Sequence, residues 1–142
     1  MTINTENSCF NIELSVRDYE CDIQGIVNNA IYQNYFEHAR HEYLKSHGFD
    51  FHDITKSGIF LVIYRAEVNY CLPLRSGDKF RVTVSLTSHS KTRCTFEQSI
   101  LIGDDKYTEG KFYITGLNSQ RRPVRLESIG INTLFNKYTY DT

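Results

Sequence analysis

From Phe10 to Val16 apolar and polar residues alternate, with Phe10, Ile12, Leu14 and Val16 set against Asn11, Glu13, Ser15 and Arg17. A period of two sends successive side chains to opposite faces, so this segment predicts a strand with one face on a core and one in water. From Ala30 to His47 the period changes. Ile31, Tyr32, Tyr35, Phe36, Ala39 and Tyr43 fall on one arc of a helical wheel, while Gln33, Asn34, Glu37, Arg40, His41 and Lys45 fall elsewhere, which predicts an amphipathic helix. Asn28 or Asn29 suits its N-cap, because a short side-chain oxygen accepts from the first unpaired N–H groups. Gly48 suits its C′ stop, because glycine takes a positive φ at no steric cost.

A polar connection, Phe49 to Gly58, leads into a β-rich block with four strand segments. These are Ile59 to Tyr70, Lys79 to Thr87 with Phe80, Val82, Val84 and Leu86 on one face, Thr92 to Ile102, and Lys106 to Leu117. The turns between them, Leu72 to Asp78 and Gly103 to Asp105, are short enough for antiparallel neighbours. Pro123 ends the block, and Ser128 to Tyr138 predicts a short terminal helix with Ile131, Leu134, Phe135 and Tyr138 on one side. Strand, long helix, four strands is an α+β order: an antiparallel sheet packed on one helix, in a single domain over residues 1–142. A lone helix leaves the other sheet face and the edge strands uncovered, so a homodimer or homotetramer is expected.

Composition narrows the function. The 142 residues, 40% of them hydrophobic, are enough for one self-sufficient core. Sixteen Lys and Arg against seventeen Asp and Glu give a formal charge of −1, which does not supply the basic footprint of a nucleic-acid binder. Cys9, Cys21, Cys71 and Cys94 form no C-x-x-C pair and read as free thiols of a reducing cytosol. Met1 to Ser8 lacks the apolar core of a signal peptide, and no window reaches the length of a membrane span, so a cytoplasmic protein with no membrane partner is expected. His38, His47, His52 and His89 show no metal-ligand spacing, and neither a metal nor a cofactor is expected.

The chemistry concentrates in Asp22-Ile-Gln-Gly25-Ile-Val27-Asn28-Asn29-Ala30. A carboxylate and a glycine here run straight into the helix start. The first N–H groups of a helix lack intrahelical partners and carry the positive end of its dipole, so they can polarise a carbonyl that a neighbouring acid attacks or hydrates. That combination points to acyl transfer. Gly25 permits positive φ or close approach of a ligand, and Asn28 and Asn29 either cap the helix or face the reaction. Glu37, Arg40 and His41, at i, i+3 and i+4, have the spacing of a surface ion pair. Cys21 and Asp22 point to opposite sides of an extended segment, which argues against a thiol nucleophile.

The run from Asp22 through Asn29, Tyr32, Tyr35, Phe36, Glu37 and Ala39 to Arg40 resembles the signature of hotdog-fold thioesterases of the 4-hydroxybenzoyl-CoA thioesterase-like group. Tyr64-Arg65-Ala66-Glu67-Val68-Asn69-Tyr70, with Pro73-Leu74-Arg75-Ser76-Gly77-Asp78 after it, resembles that family's second strand and turn, so the likeness covers residues 10–117. Ile26 stands where the long-chain branch usually has His, which argues against a histidine in the chemistry and against a hotdog dehydratase. The resemblance implies a hotdog fold and an acyl-CoA thioesterase that needs no cofactor. Asp22 is then the catalytic carboxylate, acting as nucleophile or as general base, and the Asn29 N–H faces the thioester carbonyl. Asn28 orients Asp22 or water, and Tyr32 and Glu37 contact substrate. Lys91 and Arg93 meet the phosphates of coenzyme A. An acyl-carrier-protein thioesterase and a non-catalytic acyl-CoA binding module are the alternatives.

Overall fold

The computed structural model describes residues 10–130 and residue 134. The chain runs β1 (Phe10–Ser15), a 3-10 turn (Asp18–Glu20), α1 (Asn29–Ser46), α2 (Phe51–Lys56), β2 (Phe60–Tyr70), β3 (Lys79–His89), β4 (Arg93–Ile102), β5 (Asp105–Leu117) and a second 3-10 turn (Leu126–Ile129). The five strands make one antiparallel sheet in the order β1-β3-β4-β5-β2. Helix α1 packs on its inner face, chiefly over β3 and β1. This is the expected α+β arrangement. Most of the terminal helix expected over Ser128 to Tyr138 lies outside the described residues; Leu134 is helical and buried.

Helix α1 begins where an asparagine side chain replaces a missing helical acceptor. Asn28 Oδ1 accepts from Ala30 N at 3.0 Å, and at the other end Gly48 takes φ 90° just beyond the His47 C-cap. Its inner face buries Tyr32, Tyr35, Phe36, Ala39, Arg40, Tyr43 and Leu44. Phe36 tilts against Phe112 at 5.0 Å between ring centroids, and Tyr35 against Phe80 at 4.8 Å. Gly110 makes the first contact fit: a Cβ there would stand 2.6 Å from the Phe112 ring. Strand β3 turns Phe80, Val82, Val84 and Leu86 inward, as its alternation predicts.

Three local features differ from the sequence reading. Phe49 to Gly58 is not all connection, because Phe51–Lys56 forms α2, whose Asp50 N-cap accepts from His52 N at 2.8 Å and Asp53 N at 3.2 Å. One turn and a half buries a single residue, Ile54, too little to leave a helical period. Arg40 is no surface residue: it lies four residues from both Phe36 and Leu44, on the buried arc, and is 6% exposed. Strand β2 carries an irregularity between Ile63 and Arg65, which leaves Tyr64 without a partner on β5 and breaks its alternation. As an edge strand it pairs with β5 alone and exposes Phe60, Ile63, Tyr64 and Tyr70.

Candidate active site

Residues 20–28 fold back on themselves as a miniature hairpin that ends at the α1 N-terminus. Cys21 bridges Val27, Asp22 N donates to Ile26 O at 2.9 Å, and Asn28 N donates to Glu20 O at 3.0 Å. The tip closes through Gly25 N donating to Asp22 O at 2.9 Å, and Gly25 holds φ 82°, which L side chains rarely adopt. The Asp22 carboxylate works in the turn as well. Its Oδ1 accepts from Gln24 N at 2.8 Å and from Ile26 N at 3.4 Å; among the described residues no donor reaches Oδ2, and the side chain is exposed.

The hairpin is clamped from two sides. Val27 N donates to Leu74 O at 2.9 Å, Ile26 bridges Arg75, and Leu74 N donates to the Tyr32 hydroxyl at 3.1 Å, so the segment between β2 and β3 ties the hairpin to α1. From beneath, the Tyr35 hydroxyl donates to buried Glu20 Oε1 at 2.7 Å, and Arg17 N donates to the same oxygen at 2.9 Å. Burial and the neighbouring Glu20 carboxylate push the Tyr35 phenol far above its ordinary range, so it remains a hydrogen-bond donor at any working pH. The sequence offers no local signal for this pair, fifteen positions apart.

Asp22, Gly25, Asn28 and Asn29 are therefore brought together in one unit. Asn28 caps the helix through its side chain, while the Asn29 N–H, first in the helix, meets no acceptor among the described residues. Tyr32 belongs to the core in a single chain: its ring is 3% exposed, packs edge-on against Tyr70 at 5.2 Å, and its hydroxyl is occupied by Leu74. Glu37 lies about 12 Å from Asn29 along the helix axis at 1.5 Å per residue, with Oε2 3.8 Å from His41 Nε2. Burial pulls the His41 imidazole below its usual value, against the opposing pull of the Glu37 carboxylate.

Lys91 and Arg93 are not near Asp22 within one chain. Arg93 pairs with Thr115 and Thr115 with Val62, whereas the Asp22 hairpin sits beside Tyr70 through Tyr32. Those two ends of β2 are roughly 26 Å apart at 3.3 Å per residue. The Arg93 guanidinium lies 4.7 Å over the Tyr64 ring.

A second concavity lies between α1, α2 and the β2 end of the sheet. It has a volume of about 280 Å³, and Leu44, Phe51, Leu61, Phe96, Ile114 and Leu126 supply its apolar wall. Glu37, His41 and Arg40 supply its polar atoms. No helix among the described residues is long and apolar enough to cross a membrane.

A family model described as the thioesterase-like superfamily matches residues 16–129. Over 119 residues the chain is 41% identical to acyl-acyl carrier protein thioesterase ATL3, chloroplastic, of Arabidopsis thaliana, covering 82% of this chain and 63% of that protein. It is 29% identical over 82 residues to the acyl-CoA thioester hydrolase YbgC of Escherichia coli O6:H1, covering 58% of this chain and 61% of that one. The chain thus spans somewhat less than two thirds of the curated relatives' length. The crystal structure of a hypothetical protein from Aquifex aeolicus superposes with a TM-score of 0.83 at 29% identity, over 88% of this chain and 98% of that one.

Proposed function

Since the chain belongs to the thioesterase-like superfamily and has its hotdog fold, we propose that it hydrolyses acyl-CoA thioesters to a free acid and coenzyme A, with Asp22 as the reacting carboxylate. One observation carries this reading: Asp22 is fixed through Oδ1 by two main-chain amides while Oδ2 stays open, in the unit that presents the unpaired Asn29 N–H. A carboxylate held by one oxygen keeps the other for a carbonyl carbon or a water. Oδ2 either attacks the thioester carbon, expelling the thiolate and leaving an anhydride that water cleaves, or takes a proton from the attacking water. In both routes charge builds on the carbonyl oxygen, and the α1 N-terminus stabilises it.

The assembly proposed with this function is a dimer about a two-fold axis through the middle of β2. Antiparallel pairing of two β2 edges lays the Val62 end of one copy beside the Tyr70 end of the other. That arrangement supports Lys91 and Arg93 of a second copy as the phosphate contacts for a substrate bound at Asp22, and it covers exposed Phe60, Ile63 and Tyr64. Sedimentation at micromolar concentration is expected to give a dimer or tetramer; a stable monomer would remove this part of the proposal.

The test of the chemistry is free-thiol release across a panel of acyl-CoA substrates by the natural protein and by Asp22→Asn. The carboxamide retains an oxygen for Gln24 N and Ile26 N, so the turn persists while the reacting charge is lost. A fall of at least about a hundredfold in turnover is expected; near-normal turnover would take Asp22 out of the mechanism. The 41% identity to an acyl-carrier-protein thioesterase favours a second reading, in which the acyl group arrives on a carrier protein. The same assay run with acyl-carrier-protein thioesters compares the two carriers directly.

A further inference from the structure

The second concavity contains a group that its apolar wall does not account for. Arg40 is 6% exposed, yet no carboxylate comes within ion-pairing distance of it among the described residues. Its single hydrogen bond there runs from Nη1 to the neutral amide oxygen of Gln98 at 2.9 Å. Gln98 is itself fixed, because its Nε2 donates to Phe36 O at 3.1 Å, and the guanidinium lies 4.6 Å over the Phe112 ring. Glu37, one turn back on the same helix, directs its carboxylate to His41. A guanidinium presents five N–H donors in a fixed fork, and one of them is used. Burial pulls the pKa of the Arg40 guanidinium down to about 10, and the Glu37 carboxylate, beyond ion-pairing distance, offsets that only in part; an anion seated against the guanidinium relieves the remaining cost.

We infer that this cavity binds a molecule with a short apolar body and a terminal carboxylate, the carboxylate docking on Arg40 and the body lying against Leu44, Leu61, Phe96 and Ile114. The size supports the assignment: about 280 Å³ is near the lower end of small-molecule sites and holds a short apolar body. So does the chemistry of the wall, whose side chains are hydrocarbon apart from Glu37, Arg40, His41 and the thiol of Cys94. Burial disfavours the charged form of His41, which is stacked on Phe51 at 4.3 Å, and leaves Arg40 as the stronger cation for an anionic end group. The carboxylate has two sources. It belongs either to a free fatty acid or to the far end of an acyl chain whose other end is the thioester; only the second rests on the proposed hydrolysis.

Calorimetric titration with octanoate and with octan-1-ol tests the site without any reference to activity. The natural protein is expected to bind octanoate at least about tenfold more tightly than the alcohol. Arg40→Met, which keeps an unbranched stem and removes the charge, is expected to abolish that preference, with the melting temperature reporting that the variant folds. Leu61→Trp, which narrows the cavity and leaves Arg40 intact, is expected to weaken both ligands. Equal affinities in the natural protein overturn the inference, and so does an undiminished preference in a folded Arg40→Met or octanoate binding untouched by Leu61→Trp. Should Arg40→Met fail to fold, the two-ligand comparison and Leu61→Trp still decide. The sources separate in hydrolysis: a KM at least about tenfold lower for the ω-carboxyl analogue of octanoyl-CoA than for octanoyl-CoA assigns the anchor to the substrate, and equal values with octanoate preferred assign it to the free acid.

Discussion

The hairpin that leads into α1 and the helix itself are held in place by different means. Before the helix, main-chain hydrogen bonds donated to Leu74 O and Glu20 O fix the Asp22 hairpin, while Ile23 stands fully exposed and Tyr19 largely so. From Tyr32 onward the helix is held chiefly by aromatic and aliphatic packing against the core, and Phe36 and Ala39 are wholly buried. Backbone bonds set a geometry without covering it; packed rings cover a surface without leaving a reactive group free. A protein that must present a carboxylate to a ligand needs the first solution at the site and the second beside it. The contrast implies that changes at the packed end register in stability and changes at the open end in turnover.

Phe36→Ala should produce the largest loss of stability. Removing the ring vacates space against Phe112 that Gly110 cannot fill, and large-to-small changes of this kind cost about 3–5 kcal/mol. Chemical denaturation is expected to show that loss, and a cost below about 1 kcal/mol would show that the packed end is not what holds the helix. Tyr35→Phe lies on the boundary between the two regimes. It keeps the ring on Phe80 and deletes the donor to Glu20, a bond to a charged acceptor of a class contributing about 1.5–3 kcal/mol. Because Glu20 O also holds Asn28 N, kcat should fall along with stability; a stability loss with kcat unchanged would mean the hairpin keeps its geometry without this support.

How far these regions can be read from sequence follows from the range of the interactions that build them. The strands, α1 and its Asn28 cap are legible because a residue's neighbours two, three or four positions away decide its face. In the Asp22–Asn29 unit the run of a carboxylate and a glycine into the helix start is legible, whereas the hairpin is not, because it closes through pairs as distant as Asn28 N and Glu20 O. Arg40 was not, because a helical wheel that scores charge as outward assigns it to water; only Gln98 and Phe112, on strands β4 and β5, explain its burial. The Tyr35–Glu20 pair, the clamp by Leu74 and the distance of Arg93 from Asp22 are set by the topology of the sheet, which periodicity does not encode. α2 is too short to repeat.

Gly25→Ala tests the open end more gently. Nothing lies within 4 Å of the added Cβ, so the only penalty is the left-handed backbone at φ 82°, about 1–2 kcal/mol. Relief of that strain would reset the tip that Gly25 N and Asp22 O close. A drop in kcat larger than the accompanying drop in stability is expected from paired kinetic and denaturation measurements, and the reverse ranking would contradict the division drawn between the hairpin and the packed helix.

The smallest effect is expected at Asn28, and it distinguishes a cap from a reacting group. Asn28→Ala removes the acceptor for Ala30 N and should cost about 1 kcal/mol, whereas Asn28→Gly should cost only a few tenths, because glycine is itself tolerated at that position. If capping is all the side chain does, turnover follows the same order: the glycine variant stays close to the natural protein and the alanine variant falls slightly below it. An amide that orients Asp22 or a water is absent from both variants alike, so equal losses of turnover in the two, against unequal losses of stability, would move Asn28 from the frame of the site into its chemistry.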